Sequence, residues 1–258
     1  MTADVADSGV RDFYDALAPH YHLLYPDWAQ AVDRQGQALA ALLTELGVPP
    51  GAAVLDAAAG IGTQTLGLAQ LGYVLTAVDI SPCAVQRLQR ELAARGLPGH
   101  AFVDDLRQLA HAPDGAFDAV LACDNALPHL LSDTDLRRAL GQIWRALRPG
   151  GVAVFSVRDY ARIERVSPDV RPYGFRREGD RCFLAVQVWE WQGDQYDLRL
   201  YLTTEAADGC ARTDVQVTRY SAVTVDHLLA LMRDTGFSPC ERRDDVLFQP
   251  VVWGRKPL

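Results

Sequence analysis

The stretch Val54-Leu55-Asp56-Ala57-Ala58-Ala59-Gly60-Ile61-Gly62 decides the fold. An apolar run ends in an acid, three alanines follow, and a Gly-x-Gly pair closes the segment. Seventeen residues beyond Gly62 stands Asp79, at the end of a second apolar run, Val74-Leu75-Thr76-Ala77-Val78. Strand, glycine turn, helix, strand and acid follow in the order of a nucleotide-binding βαβ unit. Glycine lets the backbone turn tightly and approach a ligand that a Cβ would block. An acid at the tip of the second strand is placed to accept hydrogen bonds from both hydroxyls of a ribose. The third glycine of the dinucleotide fingerprint would fall at position 65, which is Thr65, and no Gly-Lys-Ser/Thr phosphate loop is present. The pattern therefore favours a nucleoside ligand without a pyrophosphate.

Outward from this unit the periodicity alternates. Amphipathic helices are expected over residues 10–25 and 27–46, the second stopped by Gly47 and Pro49-Pro50. A helix over 63–71 follows the glycine turn. Ser81 caps a helix that Pro82 opens and that runs to about Arg95. Strands are expected at 100–103, 117–123 and 152–157. The second of these is apolar on both faces, as a central parallel strand should be. A helix at 133–147 leads into Arg148-Pro149-Gly150-Gly151. Alternating β and α predicts a parallel sheet wound on both faces. Beyond residue 161 the pattern changes to antiparallel-type strands at 183–191, 196–204 and 214–221, with Gln192-Gly193-Asp194 as a turn. Thr224 caps a helix that Gly236 ends, and a last strand is expected at 246–253. The inserted antiparallel segment is expected above the strand ends, where ligands bind in such sheets.

The 258 residues carry 25 basic and 33 acidic side chains, a net charge of −8. That balance argues against a nucleic-acid surface, which needs a basic stripe. The five cysteines, at 83, 123, 182, 210 and 240, are odd in number and contain no Cys-x-x-Cys pair. Reduced thiols and a cytoplasmic protein are expected, without disulfides or a metal site. The N-terminal residues are polar and acidic, unlike a signal peptide, and no apolar run reaches membrane-spanning length.

Asp-Ala-Ala-Ala-Gly-Ile-Gly-Thr at 56–63, Val-Asp-Ile-Ser at 78–81 and Arg-Pro-Gly-Gly at 148–151 together resemble the class I S-adenosylmethionine-dependent methyltransferases. The resemblance implies a doubly wound, mostly parallel, seven-stranded Rossmann-like sheet of α/β class. It also implies an N-terminal helical lid (1–48), a cofactor core (49–160), an antiparallel substrate cover (161–222) and a C-terminal completion of the sheet (223–258). It implies S-adenosylmethionine as cofactor and S-adenosylhomocysteine as product. Gly60 and Gly62 would then pass under the methionine part, with Ala58 beside it, and Asp79 would hold the ribose next to Ile80. Asp105 and Leu106 would meet the adenine, the acid accepting from the exocyclic amine. Cys123 would border the methyl group. In the lid, Tyr21 and Trp28 supply aromatic faces that suit a sulfonium, and Arg34 would hold the methionine carboxylate.

Past the fourth strand lies Cys123-Asp124-Asn125-Ala126-Leu127-Pro128-His129. Asn125 offers a donor and an acceptor, and His129 offers a base near neutral pH or, equally, a structural histidine. Asp-Asn-Ala-x-x-His resembles the Gly-Asn-Ser-x-x-His loop of glycine and sarcosine N-methyltransferases, which implies a substrate contact for Asn125. After the fifth strand, Arg158 presents a bidentate fork for a carboxylate, and Tyr160 completes the Arg-x-Tyr of the same enzymes. Arg171, Tyr173 and Tyr201 are further substrate-facing candidates. The expected activity is methyl transfer to a nitrogen, or an oxygen, of a small polar metabolite such as an amino acid. The alternatives are a non-catalytic S-adenosylmethionine-binding module and a protein methyltransferase. Neither nucleic acid nor membrane is expected as a partner, and a homodimer is compatible with the sequence.

Overall fold

A computed structural model describes residues 3–258, with side chains described from Gly9 onward. Seven strands form the main sheet: β1 (Ala53–Asp56), β2 (Val74–Asp79), β3 (His100–Val103), β4 (Phe117–Ala122), β5 (Leu147–Ser156), β10 (Cys240–Arg243) and β11 (Val251–Arg255). Their order is β10-β11-β5-β4-β1-β2-β3. β1 pairs parallel with both β2 and β4, so strand order reverses there and opens a crevice beyond the carboxyl ends. β11 runs antiparallel to β5 and to β10.

Helices cover both faces. α2 (Trp28–Glu45), α3 (Thr63–Gln70) and α4 (Pro82–Ala94) pack on one face, through Leu39, Leu43 and Leu68 and through Val85 and Leu88. α5 (Asp133–Ala146) and α6 (Val225–Thr235) pack on the other, through Leu140, Ile143, Leu228 and Met232. The caps expected from sequence form, since Ser81 Oγ accepts from the Ala84 N–H and Thr224 Oγ1 from the His227 N–H.

A second, four-stranded antiparallel sheet runs β6 (Asp169–Glu178), β7 (Arg181–Gln192), β8 (Gln195–Glu205) and β9 (Ala211–Ser221). Its inner face carries Trp189, Tyr196, Leu198, Leu200 and Tyr220 in one cluster with Phe13 and Leu17. Those last two residues belong to α1 (Ala3–Leu17), which a 3-10 turn at Tyr21–Leu24 joins toward α2.

Four elements differ from the sequence expectation, and one of them is β5, which begins at Leu147 rather than 152. β6 is an added edge strand with a register break at Pro172/Gly174, and the proline and bulge hide its alternation. β10 is a short edge strand of Cys-Glu-Arg-Arg, which shows no apolar period. The last strand begins at Val251 rather than 246, because 244–249 form bends before Pro250.

One close approach fixes the α2–α3 crossing. A Cβ on Gly67 would lie 2.5 Å from the Val32 carbonyl and 2.7 Å from Gly36 Cα. Gly67→Ala is expected to destabilise the fold by about 1–3 kcal/mol through overpacking, read as a lower urea midpoint with an unchanged slope. An unchanged midpoint would show that the two helices part without cost.

Candidate functional site

Two adjoining cavities occupy the crevice beyond β1, β2 and β4. The first is lined by Ala58, Gly60, Asp79, Ile80, Asp105, Leu106 and Cys123. The second lies under the cover sheet between Arg158, Tyr173, Gln187 and Tyr220. Tyr14, Tyr21 and Asp124 line both and so stand at the junction.

In the first cavity Gly60 has φ 54°, and a Cβ there would meet nothing within 4 Å. It leaves a cradle that any side chain would fill. Gly62 acts differently: at φ 97° it opens α3, and a Cβ would strike Leu88 at 2.3 Å. Gly62 thus serves the α3–α4 packing and does not line the cavity. Asp79 accepts from the Gly60 N–H at 2.8 Å and from the Ser81 N–H at 2.9 Å. A carboxylate has about four lone-pair sites, so two remain for a ribose diol. Burial pushes the Asp79 carboxyl above its usual range, opposed by those two N–H bonds. Asp105 lines the cavity with its carboxylate already gripped by Arg107. Burial opposes its ionisation, but the Arg107 hydrogen bonds win and hold its pKa low. The glycine cradle, the acid with spare lone pairs and the apolar Ile80 and Leu106 together fit a nucleoside.

The lid residues divide. Tyr21 lines both cavities. Trp28 does not line the cleft: its indole N–H bonds Thr63 Oγ1 at 2.9 Å, and Arg87 and Arg95 stack on its ring. Arg34 is exposed at the second cavity, not beside the glycine turn. Gln35 and Gln64, unremarked in the sequence, are better placed for a carboxylate. Both are buried, Gln64 Nε2 donates to Gln35 Oε1 at 2.8 Å, and Gln35 Nε2 has no partner among the described residues. Arg87 Nη1 ties α4 to the carbonyls of Ala18 and Pro19. Asp15 of α1 accepts from Ser81 Oγ and the Cys83 N–H, so α1 is pinned at the start of α4.

In the loop after β4 the side chain at the cavities is that of Asp124 and not that of Asn125. Asn125 is 1% exposed and lines neither cavity. Its Nδ2 donates to the Tyr160 hydroxyl at 2.9 Å and its Oδ1 accepts from the Arg158 N–H at 3.0 Å. Asn125 therefore braces the loop. Asp124, its neighbour, faces the cavities and accepts from the Tyr25 hydroxyl at 2.6 Å. Asp124 and Asn125 both have left-handed backbone, φ 59° and 68°. Asp and Asn tolerate that region better than other non-glycine residues, but two in succession are uncommon.

His129 lies at the first cavity with its Nε2 2.8 Å from the Tyr14 hydroxyl and its ring 4.0 Å from that of Tyr220. Burial, then the nearby Arg158 charge, push its pKa down to about 3 from an ordinary 6.5. The histidine is neutral at physiological pH and a weak base in this state, which favours a structural part. The unfolded chain takes a proton below about 6.5 that the folded chain refuses until about 3, so His129 costs stability as pH falls through that window. Asp56, raised to about 6 by burial, acts oppositely, gaining stability as pH falls from about 6 toward 3.8. Relative to wild type, His129→Gln is expected to remove about 1.4 kcal/mol of destabilisation per pH unit between pH 6 and 4. Denaturation curves at three pH values check this, and parallel wild-type and variant profiles would refute it.

In the second cavity, Arg158 Nη1 donates to the Tyr196 hydroxyl at 3.0 Å, and its guanidinium lies 5.0 Å from the Trp189 ring centroid and 5.4 Å from that of Tyr220. Among the described residues no carboxylate lies within ion-pair distance of it. Tyr160, 2% exposed, stands behind the wall and links Asn125 to Tyr196. Tyr173 lines the cavity. Arg171 is stacked 3.6 Å over Trp189 and bound to Asp169, outside the lining. Tyr201 falls on the other face of β8, because Tyr196, Leu198, Leu200 and Leu202 fix the inward parity. Among the described residues no cluster of His, Cys, Asp or Glu is arranged to hold a metal ion, and no helix is long and apolar enough to cross a membrane.

Comparison with known proteins agrees with this geometry. Residues 54–151 match the family described as a methyltransferase domain. A glycine/sarcosine N-methyltransferase of Parasynechococcus marenigrum is 30% identical over 137 residues, covering 53% of this chain and 48% of its own. The chain spans 24–59% of the length of the first three curated relatives it matches. Among solved structures, Streptomyces venezuelae DesVI superposes with TM-score 0.80 at 17% identity, covering 93% of this chain and 98% of its own. The S-adenosylmethionine-bound amino pentose methyltransferase CalS10 of Micromonospora echinaspora superposes with TM-score 0.73 at 19% identity, covering 87% and 91%. At such identity the structures speak for the fold alone.

Proposed function

We propose that this chain, whose residues 54–151 match the methyltransferase-domain family, methylates an amine nitrogen of a small, anion-bearing metabolite. S-adenosylmethionine is the cofactor. When bound, it supplies a methyl group on a sulfonium that leaves as a neutral thioether. Asp79 holds the ribose, Gly60 lets the chain pass close beneath, Leu106 and Ile80 cover the base, and Gln64 with Gln35 receives the carboxylate. The observation that carries the acceptor side is Arg158, a cation facing the second cavity with no carboxylate within ion-pair distance among the described residues. A desolvated guanidinium calls for an anion, and its planar fork suits a carboxylate. Nitrogen is favoured over oxygen because an acid, Asp124, rather than a second cation stands at the junction. The N-terminal segment to residue 48 acts as the lid and 161–222 as the substrate cover, excluding water and holding the acceptor in line.

The test is calorimetric titration of S-adenosylmethionine into the protein, followed by mass detection of methylated product from a panel of amino acids and other amines bearing an acidic group. Micromolar binding and a product carrying one added methyl are expected. Absence of binding by folded protein would overturn the reading.

A further inference from the structure

Resting on that reading of function, we propose that Asp124 is the group that receives the acceptor's protonated amine and takes a proton from it. Three independent features converge on this residue. Asp124 is one of the few side chains that line both cavities, and any group passed between them crosses there. Its carboxylate is half engaged: Oδ2 accepts from the Tyr25 hydroxyl at 2.6 Å, while Oδ1 has no hydrogen bond among the described residues. Its placement is also enforced. The Asp124 N–H bonds Ser156 Oγ at 2.7 Å, the Asn125 N–H bonds the Ser156 carbonyl at 2.9 Å, and Asn125 is clamped by Arg158 and Tyr160. This frame holds two successive residues at positive φ, a strained arrangement that turns Asp124 inward.

An acceptor amine is an ammonium near neutral pH and has no lone pair. A carboxylate at the junction first attracts that cation and then accepts one N–H proton on Oδ1. The N–H bond breaks toward nitrogen, an O–H bond forms, and no other bond changes. The proton leaves to solvent with the product. Burial raises the Asp124 carboxyl pKa, partly offset by the Tyr25 hydrogen bond and the Arg158 charge, which makes it a stronger base than an exposed carboxylate. The groups facing it are Tyr21 and Tyr25 from the lid, Cys123 on its own loop and Arg158 from the end of β5. With Arg158, Asp124 gives the cavity one site for a cation and one for an anion. This complements a zwitterion and selects α-amino acids over the matching 2-hydroxy acids.

The experiment compares wild type, Asp124→Asn and Tyr25→Phe by S-adenosylmethionine calorimetry, acceptor calorimetry in the presence of S-adenosylhomocysteine, and pH profiles of kcat/KM. α-Amino acids serve as acceptors and 2-hydroxy acids as amine-free controls. Asp124→Asn is expected to bind S-adenosylmethionine within about threefold of wild type. It should lose about 100-fold or more in kcat/KM, with weaker amino-acid binding and unaltered hydroxy-acid binding. Tyr25→Phe removes a bond that lowers the Asp124 pKa, so the acidic limb of its profile should move to higher pH, a shift that a merely structural tyrosine would not give. Product formation by wild type with an Asp124→Asn profile like wild type would overturn this inference and leave the proposed function standing. No methylated amine from wild type that binds the cofactor would overturn both. If Asp124→Asn fails to fold, the Tyr25→Phe limb decides, and an unmoved limb counts against the proposal.

Discussion

Asp79→Ala is expected to weaken S-adenosylmethionine binding by about 3–6 kcal/mol, roughly 10²–10⁴-fold, read by calorimetry on folded protein. The size comes from two charge-assisted hydrogen bonds to a ribose diol, each worth about 1.5–3 kcal/mol. The geometry adds a second loss. Asp79 also holds the Gly60 N–H at 2.8 Å, so its removal frees the turn that carries the cradle. Two controls separate these contributions. S-adenosylhomocysteine, which shares the ribose, should lose as much affinity as the sulfonium compound. Methylthioadenosine, which lacks the amino-acid end, should lose a similar factor, while a Gln64→Ala variant should weaken only the ligands bearing a carboxylate. An Asp79→Ala protein that binds within threefold of wild type would remove the ribose assignment.

The cofactor side was legible because its parts are consecutive residues at strand ends. Val54–Gly62 and Val74–Asp79 announce a strand, a turn and an acid, and the parallel topology then brings Gly60 and Asp79 together without further information. The same logic placed Asp105 and Leu106 in the lining. It did not place Trp28 or Arg34, since both sit on α2 and the choice of helix face depends on packing. Trp28 is drawn against the start of α3 by Thr63 and against α4 by Arg87 and Arg95. Gln35, one residue beyond Arg34, turns inward instead, beside the Gly36–Gly67 contact that lets α2 approach α3.

The acceptor side was less legible for a backbone reason. The Asp-Asn-Ala-x-x-His pattern pointed at Asn125, but two successive left-handed residues present Asp124 to the cavities and bury Asn125. No local propensity fixes that choice; hydrogen bonds to Ser156 and from Arg158, more than thirty residues along the chain, do so. Tyr201 illustrates the opposite case. The inward apolar parity of Tyr196, Leu198 and Leu200 was present in the sequence and already sent position 201 outward.

Arg158→Met is expected to separate activity from stability. For a carboxylate-bearing acceptor, kcat/KM should fall roughly 30- to 4,000-fold, a loss of about 2–5 kcal/mol, because the acceptor's anion would be left desolvated and unpaired. Cofactor affinity should be unchanged, since Arg158 lines the second cavity and not the first. Stability should hardly move. In the unliganded protein the guanidinium is part-buried with no carboxylate within ion-pair distance among the described residues, and its desolvation is offset by the Tyr196 hydroxyl and by the Trp189 and Tyr220 faces. A methionine of similar length keeps the aromatic contacts and loses the desolvation penalty. The thermal midpoint should therefore stay within about 3 °C of wild type or rise. Acceptors in which the carboxylate is replaced by an amide should react poorly with wild type and equally poorly with the variant. A variant that unfolds with its activity per folded molecule intact would mean that Arg158 serves the packing of the cover sheet. A stable variant that has lost only the carboxylate acceptors would mean that this cation is held against its own desolvation for a ligand.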